Sequence, residues 1–552
     1  MTDAPMTKPL RGADIVANSL ARLGCRRVFT LSGNHIMSIF DAALEAKLDL
    51  VHVRHEAAAV HMADAWGRLT GEAGIALVTG GPGHANAVGA LFTALGAESP
   101  MVLLSGHAAT WELGRGGFQE IRQAEMAAPV TKASWTATSA ARLGDDLGKA
   151  IRIATSGRPG PVHLSLPSDL LEERVESNAI VWPVAQRTPA TVPTLAEPVA
   201  DAVLAAIARA ERPIFFAGPA LSNVTGRALL GRLEAATKVP AVILESPRGI
   251  ADATLGAFPD LVRRVDLVVL LGKALDFTTK WASAPAFDPD VRLIAIDPEA
   301  ALVERAVKEK GDRLLLSAIA DTRSAAEMLI ARAASAKPRD GHWLSEARAA
   351  LDHRPDKWTT VVAKTPDRLH PAEVFRILRP YIEQNADTVL ICDGGEFSQW
   401  GQSMLPVRRR LVNGVAGAIG GSLSFGLSAR LLEPQAPIFA VLGDGTIGFH
   451  IAEFETAVRQ RLPFVAVLGN DARWNAESEI QLREYGHDRM HGCELLPSRY
   501  DQVVASLGGH GEFVELAADL PGAIDRALAS GKPACINIMI ESIAAPVVRW
   551  PS

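Results

Sequence analysis

The sequence predicts an α/β protein built from three doubly wound parallel-sheet domains. Short apolar runs rich in Val, Ile and Leu alternate with longer stretches in which apolar residues recur at helical spacing. This alternation is typical of parallel sheets that are covered by helices on both faces. It recurs in three blocks, and 552 residues accommodate about three to four domains. We expect domains over residues 1–180, 190–340 and 360–552.

Each block contains short apolar runs that are predicted to be buried strands. These runs cover residues 50–53, 75–78, 101–104 and 162–166, then 213–217, 241–244, 267–271 and 293–296, and finally 389–392, 438–442, 464–468 and 534–540. Helices are expected between them, for example over residues 56–69 and 86–95. The most basic run of the chain, Arg408 to Arg410, is interpreted as a solvated loop.

Composition excludes several classes of protein. The chain has 56 Lys and Arg against 62 Asp and Glu, without a basic block, so we expect no nucleic-acid partner. Its apolar runs are too short to span a membrane, and residues 1–11 lack the apolar core of a signal peptide. The four cysteines have no CxxC spacing, which argues against a zinc site or a disulfide framework. These features predict a cytoplasmic enzyme.

A glycine-rich loop at residues 443–448 follows the predicted strand 438–442. It has the form GxGxxG, so one alternative is an NAD-dependent dehydrogenase. Asp444 lies inside this loop, however, and a carboxylate repels a phosphate unless a divalent cation separates them. The loop therefore predicts a hard metal ion with oxygen ligands. A second ligand is expected at the next strand end, at Asn470; alternatively, Asn470 and Asp471 only turn the chain.

This arrangement, a GDG loop and then Asn at the following strand end, resembles the cofactor motif of thiamine diphosphate (ThDP) enzymes. The resemblance implies that Mg²⁺ bridges the protein and the cofactor diphosphate. The implied metal ligands are Asp444, the Asn470 side chain and the Ala472 carbonyl, and the implied cofactor contacts in the loop are Gly445 and Thr446. Gly469 and Asp471 stand where many relatives have asparagine.

A second motif lies in the first block, where strand 50–53 is followed by His55 and Glu56. His61 stands six residues after His55, which does not match the HExxH spacing of zinc proteases. Glu56 on its own is also consistent with a first-turn acid that the helix dipole favours. The segment resembles the glutamate motif of the acetolactate synthase superfamily, which implies that Glu56 bonds N1′ of the ThDP aminopyrimidine. In that family this glutamate and the metal loop come from neighbouring subunits, so a homodimer or homotetramer is implied.

Further segments resemble the same superfamily. Residues 80–86 resemble its glycine turn, although a tight turn with a helix N-cap is the alternative. Residues 118–120 resemble the loop that brings a glutamine to the reacting carbon, and residues 417–421 resemble the segment that bends the cofactor. The residues implied by these matches are Gly83 and Asn86 in the turn, Gln119 near the reacting carbon, the Gly417 carbonyl and Ile419 under the cofactor, and Gly395 and Glu396 near the diphosphate.

Three side chains bear on the reaction itself. His35 resembles the histidine of benzaldehyde lyase that works with a glutamine, and a neutral imidazole there relays a proton to or from a substrate hydroxyl. The alternative is that His35 caps the helix that begins near Ile36. Glu477 or Glu479 would handle the hydroxyl proton, unless both are solvated acids at a helix start.

The resemblance implies a carbon–carbon lyase or carboligase that requires ThDP and Mg²⁺. The preferred small-molecule substrate is a 2-hydroxyacyl compound, such as a 2-hydroxyacyl-CoA thioester, which is cleaved reversibly into a carbonyl compound and an acyl fragment of the formyl-CoA type. The alternatives are acetolactate synthase-type condensation of 2-oxo acids, decarboxylation of a 2-oxo acid or oxalyl-CoA, and a relative that binds ThDP without catalysis. Relatives can hold FAD or ADP in the middle block, and nothing in this sequence indicates either.

Overall fold

The structure is a computed structural model, and it describes residues 8–184, 193–334 and 339–550. The chain forms two compact units, Met1–Thr191 and Val192–Ser552. The first unit contains one large sheet and the second contains two, all with parallel strands and flanking helices. The predicted fold class is confirmed. The predicted domain boundaries stay predictions, and the boundary at residue 190 lies outside the described residues.

The first unit is built on a six-stranded parallel sheet with the order β3-β2-β4-β5-β7-β6, and β1 and β8 form a separate antiparallel pair. Its strands are Leu10–Arg11 (β1), Arg27–Thr30 (β2), Asp49–His52 (β3), Gly74–Val78 (β4), Met101–His107 (β5), Ala133–Thr136 (β6), Pro161–Pro167 (β7) and Arg174–Val175 (β8). Its helices are Gly12–Arg22 (α1), Met37–Ala46 (α2), Glu56–Thr70 (α3), Pro82–Gly96 (α4), Gln123–Ala127 (α5), Leu143–Thr155 (α6) and Ser168–Glu172 (α7). Every residue of β4, β5 and β7 is buried, as expected for a sheet covered on both faces.

The second unit begins with a five-stranded parallel sheet of order β10-β9-β11-β12-β13. Its strands are Pro213–Ala217 (β9), Ala241–Ile243 (β10), Leu267–Leu271 (β11), Arg292–Asp297 (β12) and Leu314–Ile319 (β13). Its helices are Glu197–Arg209 (α8), Val224–Thr237 (α9), Phe258–Val262 (α10), Ala300–Lys310 (α11), Thr322–Ala333 (α12) and His342–Asp352 (α13). The central strands β9 and β11 consist of apolar residues that are buried throughout.

The remaining sheet of this unit has six parallel strands in the order β15-β14-β16-β17-β19-β18. Its strands are Val389–Cys392 (β14), Arg409–Val412 (β15), Ile438–Gly443 (β16), Val465–Asn470 (β17), His510–Val514 (β18) and Ala534–Met539 (β19). Its helices are Pro371–Glu383 (α14), Glu396–Met404 (α15), Ser422–Leu432 (α16), Asp444–Ile447 (α17), Glu453–Arg459 (α18), Asn475–Tyr485 (α19), Tyr500–Ser506 (α20) and Leu520–Ala529 (α21). Because Gly443 pairs with Gly469, β16 and β17 end at the same edge of the sheet.

The basic run at residues 408–410 corrects one expectation. The sequence predicts a solvated loop there, but Arg409 and Arg410 begin strand β15 and pair with β14. The guanidinium of Arg410 is buried because it forms an ion pair with Glu245, which follows β10 of the neighbouring sheet. Arg410 can therefore be part of a strand here because an acid that follows a strand of the neighbouring sheet neutralises it, while Arg409 pairs with Asp387 and Glu433.

The described helices also bear on the excluded classes. Within the described residues, no helix is both long and apolar enough to cross a lipid bilayer. All four cysteines are free thiols.

Candidate functional site

A pocket with two facing carboxylates lies at the shared edge of β16 and β17. Asp444 is the first residue of α17, directly after β16, and only 2% of it is exposed. Asp471 directly follows β17 and lines the same pocket. We name this site the carboxylate pocket. Its further lining residues include Gly395, Glu396, Ile419, Gly443, Gly445, Thr446, Arg473, Trp474, Asn475, Glu477 and Glu541.

Burial disfavours the charged form of both carboxylates. Burial raises the pKa of Asp444 above the usual range, although its Oδ2 accepts a hydrogen bond of 3.2 Å from the Arg473 N–H. Burial also raises the pKa of Asp471, and the negative charge of Asp444 raises it further. Two such acids in one buried pocket are stable as anions only when a cation lies near both.

Asn470 and Ala472 are not among the residues that line this pocket. Asn470 is fully buried, and its Nδ2 donates to the Ser498 carbonyl and to Asn537 Oδ1, each at 3.1 Å. The carbonyl of Ala472 accepts a hydrogen bond of 2.7 Å from the Leu495 N–H. Asn470 Oδ1 accepts a hydrogen bond of 3.2 Å from the Ala472 N–H. Asp471 is the side chain of this strand end that lines the pocket with Asp444, so the ligand roles of Asn470 and Ala472 stay predictions.

Glycine backbone opens the opposite side of the pocket. Gly395 has φ of +90°, and a Cβ built on it would have no atom within 4 Å. It precedes α15, so free backbone N–H groups at the start of that helix lie beside the open space. Glu396 also lines the pocket, and its carboxylate is engaged by protein partners: Oε2 accepts from the Ala545 N–H and Oε1 lies 3.4 Å from Arg248 Nη2.

Asp393 organises the neighbouring segments, a role that sequence reasoning missed. This buried carboxylate accepts from the N–H groups of Gly394 at 2.7 Å, Gly420 at 3.1 Å and Ser422 at 2.9 Å. Ile419 consequently packs on Gly394, since a Cβ on that glycine would lie 2.1 Å from its side chain. The available signal was a carboxylate that directly follows a buried strand and precedes two glycines.

Of the other site residues predicted in the second unit, some line the carboxylate pocket and some do not. Gly417 has φ of +70° and lies against Pro247, which follows β10. Glu477, in the first turn of α19, lines the carboxylate pocket, whereas Glu479 does not. Gly445 and Thr446 line the pocket as expected, and Gly445 lies against the indole of Trp474.

In the first unit, Glu56, Gly83 and Asn86 lie together. His55 caps α3 because its Nδ1 accepts from the Ala57 N–H, and this places Glu56 as the first residue of the helix. Glu56 Oε2 accepts a hydrogen bond of 3.1 Å from Asn86 Nδ2. Its Oε1 would lie 3.3 Å from a Cβ at Gly83, so the glycine makes room for the carboxylate.

His35 and the loop of Gln119 also lie close together. The His35 ring stacks on Phe118, and its Nδ1 lies 3.1 Å from Thr79 Oγ1. Burial lowers the pKa of His35, so the imidazole is neutral at pH 7. His35 lies within a short 3-10 helix whose N-cap is Gly33, so it does not act as the cap of the helix that follows. Gln119 has φ of +56°.

Comparison with known protein families defines the family of the chain. Residues 10–126 match the family described as "Thiamine pyrophosphate enzyme, N-terminal TPP binding domain". Residues 393–538 match the corresponding C-terminal TPP binding domain. Thiamine pyrophosphate is another name for ThDP. The chain belongs to the ThDP-dependent enzymes of the acetolactate synthase superfamily, and the dehydrogenase interpretation of its glycine loop does not hold.

Individual relatives carry two different names. A "Probable acetolactate synthase" of Mycobacterium bovis is 30% identical over all of this chain and 98% of its own length. A "2-hydroxyacyl-CoA lyase 2" of Danio rerio is 28% identical over 96% of this chain and 92% of its own. An "Acetolactate synthase, catabolic" of Raoultella terrigena is also 28% identical, over 96% of this chain. These similarities establish a ThDP-dependent enzyme and leave two candidate reactions.

Proposed function

We propose that this enzyme is a carbon–carbon lyase or carboligase that requires ThDP and Mg²⁺. Its substrate is a 2-hydroxyacyl compound, such as a 2-hydroxyacyl-CoA, which it cleaves reversibly into a carbonyl compound and an acyl fragment. The observation that carries this proposal is the neutral imidazole of His35 beside the Gln119 loop. Cleavage of a 2-hydroxyacyl compound removes the hydroxyl proton, and a neutral imidazole can accept it.

The carboxylate pocket supports the metal part of the proposal. Carboxylate oxygens are the preferred ligands of Mg²⁺, and the pocket offers Asp444 and Asp471. Among the described residues, no group of three or more His, Cys, Asp and Glu side chains is arranged to hold a metal. The ion would therefore complete its shell with backbone, water and diphosphate oxygens, as Mg²⁺ commonly does. The donor set thus fits the ion, with Asp471 in place of Asn470.

The glycine-lined side of the pocket supports the diphosphate part. Gly395 and the start of α15 offer open space and backbone donors, while Gly445 and Thr446 line the side nearest Asp444. Bound ThDP supplies a stabilised carbanion at its thiazolium ring. The protein would hold the apolar face of the cofactor with Ile419, and Glu477 would reach the substrate from the first turn of α19.

Glu56 supports the acid–base part. Asn86 holds one of its oxygens, which leaves the carboxyl group oriented to share a proton with the pyrimidine nitrogen N1′ of the cofactor. His35 and Gln119 would then contact the reacting end of the substrate. These roles require Glu56 and the carboxylate pocket to contact the same cofactor molecule. In the family, the glutamate comes from one subunit and the metal loop from its neighbour.

A second copy of the chain is the proposed partner. The face of α4 that carries Asn86 also exposes Gly89 and Phe92, and half of the Phe92 side chain is solvent-accessible. Such a stripe of small and apolar residues at helical spacing allows another helix to approach closely. We therefore infer a homodimer or homotetramer, and the free thiols are in keeping with a cytoplasmic location.

The acetolactate synthase reaction is the second candidate, because a relative with that name covers the whole chain. Product analysis separates the two candidates. The purified protein is loaded with ThDP and Mg²⁺ and supplied with pyruvate, with 2-hydroxyacyl-CoAs or with aromatic acyloins. We expect aldehydes from the hydroxyacyl substrates, and acetolactate as the dominant product would overturn the proposed substrate class.

A further inference from the structure

A buried glutamine, Gln123, links three chain segments near the Gln119 loop. It is the first residue of α5, and none of its surface is exposed. Its Oε1 accepts a hydrogen bond of 2.9 Å from the Gly81 N–H. Its Nε2 donates to the Gly106 carbonyl at 3.1 Å and to Ser165 Oγ at 2.9 Å. One side chain thus joins the turn before α4 to the carboxyl ends of β5 and β7.

The turn of residues 80–83 lies directly against the backbone of Gln119. A Cβ on Gly81 would lie 2.4 Å from the Gln119 carbonyl oxygen and 2.7 Å from its Cβ. Both residues have positive φ, +55° for Gly81 and +56° for Gln119. Non-glycine residues adopt this conformation rarely, so the surrounding contacts must maintain it at Gln119.

The orientation of the Gln123 amide is set by a directional chain of hydrogen bonds. Ser165 Oγ accepts from Gln123, so its own hydrogen can point to His163 Nε2, which lies at 3.3 Å. His163 Nδ1 lies 2.8 Å from Ser134 Oγ. Burial lowers the pKa of His163 well below its usual value, so the ring is neutral and can accept at Nε2. An inverted amide would place Oε1 against the Gly106 carbonyl, where two acceptors repel.

We propose that Gln123 is a positioning residue that sets the place of Gln119 through the turn of residues 80–83. Its three hydrogen bonds fix this turn relative to two central strands, and the turn then supports the backbone of Gln119 by direct contact. This inference rests on the proposed function, which places Gln119 near the reacting end of the substrate.

Hydrogen exchange tests the structural part without cofactor or substrate. In the cofactor-free protein, Gln123→Met removes the three hydrogen bonds but retains the side-chain length. We expect peptides covering residues 79–86 and 116–122 to exchange at least about fivefold faster, because the Gly81 N–H loses its acceptor. Gln402→Met, at a buried glutamine of α15, is the control and should leave both peptides unchanged. Unchanged exchange in Gln123→Met would overturn the inference.

A double-mutant cycle tests the link to Gln119, with mandelyl-CoA as the substrate. Gln123→Met should lower kcat about tenfold or more and change KM less than threefold. The double variant Gln119→Ala/Gln123→Met should be no more than about twofold slower than Gln119→Ala, because both changes remove the same group from its place. If the effects of the two single substitutions on kcat instead multiplied in the double variant, the inference would be overturned. Absent cleavage by the unmodified enzyme, or full kcat in Gln119→Ala, would instead count against the proposed function, and hydrogen exchange alone would then decide the role of Gln123.

Discussion

At the residue scale, the carboxylate pocket shows how a shift of one residue changes the proposed metal ligand from an amide to a carboxylate. Spacing along the sequence led to Asn470 as the metal ligand, but successive side chains of a strand point to opposite faces. Strand β17 extends to Asn470, whose amide is turned into the protein, and the next residue, Asp471, faces Asp444. The pocket lining therefore favours the carboxylate of Asp471 over the amide of Asn470 as the proposed ligand, a difference of one residue that sequence spacing alone does not resolve.

Substitution of Asp471 distinguishes the two donor sets. Asp471→Ala should weaken Mg²⁺-dependent ThDP binding by at least about tenfold, because one of two carboxylate ligands is lost. Quenching of Trp474, which lines the pocket, provides the binding signal. Asn470→Ala is the matched control: it should reduce stability by about 1–3 kcal/mol through lost buried hydrogen bonds. The reverse pattern, with binding lost only in Asn470→Ala, would restore Asn470 as the ligand.

Glu56 allows a second test at this scale. Glu56→Gln retains the size of the side chain and its contact with Asn86 but cannot exchange a proton, so kcat should fall by at least about 100-fold. Cofactor retention is measured by oxidising the released thiamine to thiochrome, and it should be unchanged. Glu45→Gln, at an exposed acid of α2, should behave like the unmodified enzyme. Full activity in Glu56→Gln would remove the proposed acid–base role.

At the scale of elements, the strand ends of the first unit hold a group of buried histidines. Burial lowers the pKa of His84 to about 4, and the His84 ring contacts that of His163. Burial favours the neutral form of each ring, and a hydroxyl group lies at hydrogen-bond distance, that of Ser105 in the case of His84. These residues belong to β5, β7 and the start of α4, so their protonation state affects the framework on which Glu56 and Gln119 are placed.

This group predicts an acid-sensitive fold. Because His84 has a lower pKa in the folded chain than the value of about 6.5 in the unfolded chain, the unfolded chain binds more protons as pH falls below 6.5. The contribution of His84 to the free energy of unfolding is constant above pH 6.5. At pH 5.5, one unit below, it is lower by about 1.4 kcal/mol. Urea unfolding of the cofactor-free protein at pH 7.5 and 5.5 measures this. In the variant His84→Gln, the free energy of unfolding should differ less between the two pH values. An equal difference would contradict the assignment of this acid sensitivity to His84.

Strand prediction succeeded for fully buried apolar strands and missed strands that are partly exposed, such as β6, β13 and β18, or that begin with charged residues, such as β15. Runs such as those of β4, β11 and β16 were found because every residue is apolar and buried on both faces of a parallel sheet. Strand β15 was missed because it begins with Arg409 and Arg410. The acid that neutralises Arg410 is distant in sequence, so no local pattern indicates that this arginine is buried.

At the scale of the whole molecule, the buried acid Glu245 joins two sheets of the second unit. Its carboxylate pairs with Arg227 of α9 and with Arg410 of β15. Burial alone would raise the pKa of Glu245, but the two arginines lower it to about 2. The acid therefore stays charged at any pH at which the enzyme works, and the ion pairs connect the middle sheet to the sheet that carries the carboxylate pocket.

Removal of this acid should destabilise the second unit. Glu245→Ala leaves Arg410 buried without a counterion, and the expected loss is about 3–5 kcal/mol in the free energy of unfolding. Denaturant unfolding measures it, with Glu327→Ala at an exposed ion pair as the control, which should lose about 1 kcal/mol or less. Replacing the pair by Glu245→Leu/Arg410→Met should recover much of the loss. A single variant as stable as the parent would contradict a buried, charged Glu245.

The order of strands in the last sheet has a consequence for synthesis of the chain. Strand β19 is the last strand of the sheet along the sequence, yet it lies between β17 and β18. Asn537 of β19 bonds to Asn470, and Glu541 just beyond it lines the carboxylate pocket. While the ribosome is still adding these residues, β18 has no neighbour and the edge that carries the carboxylate pocket is incomplete. Under the proposed function, the nascent enzyme acquires its metal and cofactor only after residue 541 has left the exit tunnel, and until then β17 exposes an open edge.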